Sequence, residues 1–162
     1  SETRVRFLLG TKTNPYTHSQ ALVIDPQLIW GTFFGGSSDD VFTSAVTDNA
    51  NNLFITGSTQ SVDFPVQDAG SFFQGTIGGT GGATDVQIVK FDNLGTLVWS
   101  TYYGGGGMDM ATTIDVNAAG DIFVGGNTAS QDFPLQNNGN FFQGSNVFMD
   151  GFILKFDNQG AR

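Results

Sequence analysis

The chain has 162 residues, no cysteine, and 15 acidic against 6 basic side chains, for a formal net charge of −9. That acidity leaves nothing to drive the counterion release on which binding to a phosphate backbone depends, so nucleic acid is not an expected partner. The lack of thiols excludes a disulfide framework and Cys-ligated zinc.

The 23 glycines and 16 phenylalanines, beside scarce Lys, Arg and Glu, favour short strands joined by tight turns over helix. The apolar content is enough for a buried core in one domain. No apolar run approaches the length of a membrane span, and no signal peptide is visible. A chain that opens at Ser1 and stops inside a repeated motif is expected to be a portion of something longer.

Residues 1–27 stand apart. T-R-V-R-F-L-L-G and A-L-V-I-D-P have the apolar pattern of strands, and T-K-T-N-P-Y-T-H-S-Q between them is rich in turn formers. This segment reads as the β-hairpin-like end of an upstream domain or a linker. His18 sits in its polar loop and lacks the co-ligands that a metal or catalytic role would need.

Residues 28–162 hold a tandem repeat, 28–96 and 97–162, with a period of about 65 to 69 residues and roughly half of the aligned positions identical. L-I-W-G-T-F-F-G-G at 28–36 matches L-V-W-S-T-Y-Y-G-G at 97–105, pairing Trp30 with Trp99. S-x-D-F-P-x-Q recurs at 61–67 and 130–136, F-F-Q-G at 72–75 and 141–144, and K-F-D-N-x-G at 90–95 and 155–160. The main length difference is one loop, 76–84 against 145–149, where insertions are tolerated.

Each copy offers four strand candidates, at 28–34, 41–47, 53–59 and 86–91, then 97–103, 110–116, 122–128 and 151–156. The Asn-, Asp- and Gly-rich segments between them supply hairpin turns. Four short antiparallel strands per unit describe a β-propeller blade, whose two buried faces tolerate apolar residues at odd and even positions. The fold class is therefore all-β, with antiparallel four-stranded blades, incomplete at about two blades in this chain. On this phasing residues 41–103 complete one blade, residues 28–34 are the outer strand of a preceding one, and the second blade lacks its outer strand. Two blades cannot close a ring, so other blades of a longer chain or other subunits are expected beside them.

W-S-T-Y-Y-G-G, the acid after the Gly run, D-x-N-A-A-G-D-I-F-V-x-G, S-x-D-F-P and D-x-x-x-x-K-F-D-x-x-G together resemble the SBBP β-propeller repeat family over about residues 28–162. The resemblance implies a secreted or cell-surface protein of many repeats, often in Bacteroidota-type Gram-negative bacteria that use type IX secretion. It implies an adhesive, structural or protein-interaction role and supplies no catalytic residues. Asn51 and Asn52 depart from the usual Gly-Asn-like turn.

The acids recurring in both copies are Asp40 and Asp109, Asp63 and Asp132, Asp85 and Asp150, and Asp92 and Asp157. Their recurrence fits a structural duty in each blade, such as accepting backbone N–H groups at turns. Lys90 and Lys155 also recur on strands, and each is expected to pair with an acid. Calcium is an alternative use of the oxygens, with Asp115, Asn117 and Asp121 the nearest to a cluster, although the EF-hand pattern is not satisfied.

The Gly-rich runs lack the Lys-Ser/Thr of a phosphate loop, and no nucleophile elbow is present. Trp30, Trp99 and the Phe doublets fit packing between blades better than stacking platforms for sugars. No enzymatic activity or cofactor is expected. The leading reading is a structural or adhesive surface module; the alternatives are a glycan- or calcium-binding propeller and, behind them, a propeller hydrolase.

Overall fold

The computed structural model describes residues 27–70, 72–79, 81–144 and 147–157, together with the short strands at 10–11 and 14–15. It falls into two compact units, Ser1–Gly31 and Thr32–Arg162. In the first, β1 (Gly10–Thr11) pairs antiparallel with β2 (Asn14–Pro15), so the turn-rich stretch itself carries a two-residue ladder. Except for Gly10, the strands expected at 3–10 and 21–26 lie outside the described residues, as does His18.

The second unit is all-β. β3 (Asp40–Thr47), β4 (Leu53–Thr59), β5 (Asp85–Phe91) and β6 (Leu97–Tyr103) form an antiparallel meander in chain order. β7 (Asp109–Val116), β8 (Ile122–Thr128) and β9 (Asp150–Phe156) repeat its first three strands. These sheets are two propeller blades, the second with three strands among the described residues. Four of the strands begin at an aspartate, one residue earlier than the apolar pattern indicates. Asp is a poor strand former, yet Asp40 and Asp85 both sit opposite Thr59, and Asp109 and Asp150 both sit opposite Thr128.

One expected strand is absent. Residues 28–34 belong to no sheet, and Leu28, Ile29 and Phe33 are exposed. A strand exists only by pairing its N–H and C=O groups with a neighbour, and the described residues contain no blade ahead of β3 to supply one.

The core is divided by the first blade. On one face Phe54, Val86, Ile88, Trp99 and Tyr103 pack with Ala111, Ile114, Ile122, Val124, Phe133, Phe152, Leu154 and Phe156 of the second repeat. On the other, Phe64, Val89, Phe91 and Tyr102 gather Phe34, Leu53, Ile55 and Val66. β5 is therefore buried on both faces, which explains its unbroken apolar run.

Both inner strands carry a bulge, between Phe42 and Ser44 and between Ala111 and Thr113. The first turns the Thr43 hydroxyl toward the second blade, where it donates to the Ala111 carbonyl at 2.9 Å. A Cβ on Gly57 would run into the Val41 carbonyl, which the bulge pushes toward it, and Gly126 stands in the same relation to Met110. The Gln87 side chain caps that carbonyl, donating to Val41 O and Ser58 O at 3.1 Å each.

Candidate functional site

Five of the recurring acids, Asp40, Asp63, Asp85, Asp109 and Asp132, lie where the chain crosses from one blade to the next. In the second repeat the Gly104 to Gly107 run is laced to β7 and to the S-x-D-F-P loop. Gly105 N–H donates to Asp109 Oδ2 at 2.8 Å, and the Ser130 hydroxyl donates to the same oxygen at 2.7 Å. Gly106 N–H donates to Asp132 Oδ1 and Gly107 N–H to Ser130 Oγ, each at 2.8 Å.

The first repeat uses the same connections. Gly36 N–H and the Ser61 hydroxyl donate to Asp40 Oδ2 at 2.7 and 2.8 Å, Ser37 N–H and hydroxyl donate to Asp63 Oδ1, and Ser38 N–H donates to Ser61 Oγ. Ser37 holds the Asp63 carboxyl below the usual carboxylate range through its backbone and then its side chain. Ser61 and Ser130 are hubs, each the acceptor for one backbone N–H and the donor to one carboxylate.

Asp85 joins this junction from β5. Its Oδ2 accepts from Gln74 Nε2 and Gly78 N–H, both at 2.8 Å. Its Oδ1 accepts nothing, and neither does Oδ1 of Asp109. Both residues are wholly buried. They converge on Gly104: a Cβ there would lie 2.6 Å from Asp85 Oδ1 and 2.6 Å from Asp109 Oδ2. Burial pushes the Asp85 carboxyl up to about 7, the charges of Asp109 and Asp132 adding to it while Gly78 and Gln74 pull the other way.

At the opposite ends of the inner strands lie two polar loops. In the first, Asp48 Oδ1 accepts from Ala50 and Asn52 N–H, and Asn52 Nδ2 donates back to Asp48 Oδ2 at 2.8 Å. In the second, Asn117 Oδ1 accepts from Ala119 and Asp121 N–H, and Asn117 Nδ2 donates to Asp121 Oδ2 at 3.0 Å. Lys155 completes the second loop with a 2.8 Å ion pair to Asp121. Its hydrogen bond, then that of Asn117, holds Asp121 below the usual range.

Burial works against the Asp48 charge, but the Asn52 and Ala50 hydrogen bonds and the charge of Lys90 outweigh it. Lys90 and Lys155 lie 5.1 and 5.6 Å over the rings of Phe54 and Phe123, their partners in register. The oxygens proposed for calcium are thus engaged by the chain itself: Asn117 and Asp121 by the loop and Lys155, and Asp115 Oδ1 by the N–H of Val116.

Residues 29–65 match the SBBP family, a beta-propeller repeat. No curated protein matches the chain. The matched stretch contains Gly36, Ser37, Asp40, Ser61 and Asp63, so the bracing network of the first blade junction lies inside one SBBP match.

Other residues singled out from the sequence take up simpler positions. Asp92 Oδ1 accepts from Leu94 and Thr96 N–H at 2.9 and 2.8 Å in the β5–β6 turn, and Thr96 leads in keeping its carboxyl below the usual range. Asp157 is exposed just past β9, and Asp150 is half-buried at its start. Trp99 is buried with its indole N–H on the Phe72 carbonyl at 3.2 Å, whereas its repeat partner Trp30 is exposed. Phe72 packs against Tyr103 and Phe156, but its counterpart Phe141 stands in solvent.

Sequence reasoning passed over Ser61 and Ser130, Gln74, Gln87 and the exchange between Asp48 and Asn117. The serines were within reach, because they recur in S-x-D-F-P at a fixed distance from the acids. Gln74 recurs as Gln143 in F-F-Q-G and was within reach in the same way, whereas Gln87 carries no such signal, since Phe152 replaces it in the second copy.

Proposed function

We propose that the chain is a non-catalytic propeller segment of a larger secreted or cell-surface bacterial protein, with a structural, adhesive or protein-interaction role. The observation that supports this reading most is how the recurring carboxylates are used. Asp40, Asp63, Asp92, Asp109 and Asp132 each accept hydrogen bonds from the chain's own backbone or serines, holding crossings and turns in place. A hydrolytic site would require an acid and a base or nucleophile converging on open space, and these groups converge on backbone N–H groups. Fractionation of the producing cell with an antibody to this segment tests the location. Recovery in the cytosol alone would overturn it.

A second reading, glycan binding, is favoured by one observation: Phe141 is 95% exposed. An exposed ring can stack on the apolar face of a sugar. Binding on a glycan array that is lost in Phe141→Ala would establish it over the adhesive reading, and no binding to any glycan would remove it.

A further inference from the structure

One turn of the second repeat carries chemistry that its counterpart lacks. After S-x-D-F-P-x-Q, residues 137–140 read N-N-G-N where residues 68–71 read D-A-G-S. Asn138 and Gly139 form the only Asn-Gly pair in the sequence. The turn is built alike in both copies: Gly139 N–H donates to Asn137 Oδ1 at 2.8 Å, and Gly70 N–H donates to Asp68 Oδ1 at 2.7 Å. Both glycines are left-handed, with φ 85° and 83°. Ala69 stands where the second copy has Asn138, so the turn itself requires no amide there.

Three observations leave the Asn138 amide open to attack. Residues 137–140 are exposed, and so are residues 68–70 of the first blade, which has the second blade beside it; the exposure belongs to the turn. Beyond its chain neighbours, no atom comes within 4 Å of where a Cβ on Gly139 would stand, so the nitrogen of that residue is unshielded. Asn140 N–H donates to Asn138 Oδ1 at 3.2 Å, a donor on the oxygen that takes up charge when the amide carbon is attacked.

We propose that Asn138 is a site of spontaneous deamidation through a succinimide ring closed by the Gly139 nitrogen. Hydroxide takes the Gly139 amide proton, and the bared nitrogen bonds to Asn138 Cγ. The Cγ–Nδ2 bond then breaks, and ammonia leaves with a proton from water, which restores the hydroxide. Water opens the ring at either carbonyl, giving aspartate or, where the main chain now runs through the side-chain carbonyl, isoaspartate. Water is taken up, ammonia is released, and nothing is oxidised or reduced. The product adds a negative charge, and its isoaspartyl form lengthens the main chain just ahead of F-F-Q-G. Ala69 has no such chemistry, so two blades alike in fold diverge chemically with age.

The fold protects the other sequence of this kind. Asp150 and Gly151, the only Asp-Gly pair, would reach the same ring by loss of water. They lie at the start of β9, Asp150 opposite Thr128 and Gly151 opposite Asn127, and the rotation that closes the ring would break this ladder. The inference goes beyond the surface role proposed above and does not depend on it.

Incubation of the 162-residue chain over a range of pH tests it. Tandem mass spectrometry of its peptides reads the mass gained as –NH2 becomes –OH, and labelling by an isoaspartyl methyltransferase reads the rearranged product. Conversion at Asn138 is expected in the folded chain, roughly tenfold faster for each pH unit, as the deprotonated fraction of a group far below its pKa rises. The folded rate should lie within about tenfold of the rate in urea, because an exposed turn opens at almost no cost. Label at Asp150 should appear only in urea. Asn138→Ala, which copies the first repeat, should lose the signal at that position and keep the circular dichroism of the parent. The wild-type rates decide the outcome even if that variant does not fold. No conversion at Asn138 in the folded chain, equal conversion at the other exposed asparagines, or a folded rate more than about tenfold below that in urea would each overturn the proposal.

Discussion

Asp48 and Asn117 occupy the same corner of the same loop in successive repeats, with carboxylate and amide exchanged. Asp48 faces Asn52, whereas Asn117 faces Asp121, and the amide donates to the carboxylate in both. The lysine of the neighbouring strand acts on whichever corner holds the charge, Lys155 by a direct ion pair with Asp121 and Lys90 through its field on Asp48. One acid and one amide are needed in each loop, and their order is interchangeable.

Converting the first loop to the form of the second is therefore expected to be nearly neutral. Asp48→Asn alone sets two amides against each other, and Asn52→Asp alone sets two carboxylates together. Each should lower stability by about 1 kcal/mol, a few degrees in melting temperature. The double variant should regain most of that loss in thermal denaturation. Additive losses would show that the exchange carries no coupling.

Asp85 makes stability depend on pH in an unusual direction for an acid. Its folded value near 7 lies above that of the unfolded chain, so the folded state binds the proton more tightly. The resulting stability is fully present below about pH 4 and is lost as pH rises through about 7. The groups facing it are the Asp109 and Asp132 charges and the Gln74 and Gly78 donors. Urea denaturation at a series of pH values should show this contribution falling between about pH 4 and 7. Asp85→Asn, which keeps an acceptor for Gln74 and Gly78 and turns an amide toward Asp109, should flatten that slope and raise stability at pH 8. A slope unchanged by the substitution would assign it to other groups.

The serine hubs should differ in cost. Ser130→Ala strands the Gly107 N–H and deprives the wholly buried Asp109 of a donor, at a cost of about 2 kcal/mol. Ser61→Ala removes the same two bonds, but Asp40 is only partly buried and water can replace the lost donor, so about 1 kcal/mol is expected. Equal losses on chemical denaturation would show that burial of the acid is not what sets the cost.

Asn51 holds a left-handed backbone, φ 61°, at the position where the second repeat has Gly120, φ 87°. Asn tolerates this region better than most residues, and Gly enters it without a Cβ penalty. Asn51→Ala should therefore cost about 1 kcal/mol in thermal denaturation, while Asn51→Gly is close to neutral. A harmless alanine would mean that the loop can rearrange.

The repeat made much of this molecule legible. Strands alternating with Asn- and Gly-rich turns, recurring in the same order in two copies, determine seven of the eight strands expected in the repeats to within a residue, and five of the recurring acids mark the blade junction. What sequence alone leaves open are relationships across the repeat. The Asp85 carboxyl is pushed up because burial strips it of water and because β5 of one blade and β7 of the next bring the Asp109 charge to the same Gly104, across a gap in sequence that no periodicity describes. Residues 28–34 have the sequence of a strand and are not one, because pairing depends on a neighbour and not on propensity. Local pattern decided which segments extend; the tertiary fold decided which edges are filled and which charges are forced together, since both depend on distances between residues far apart in the chain.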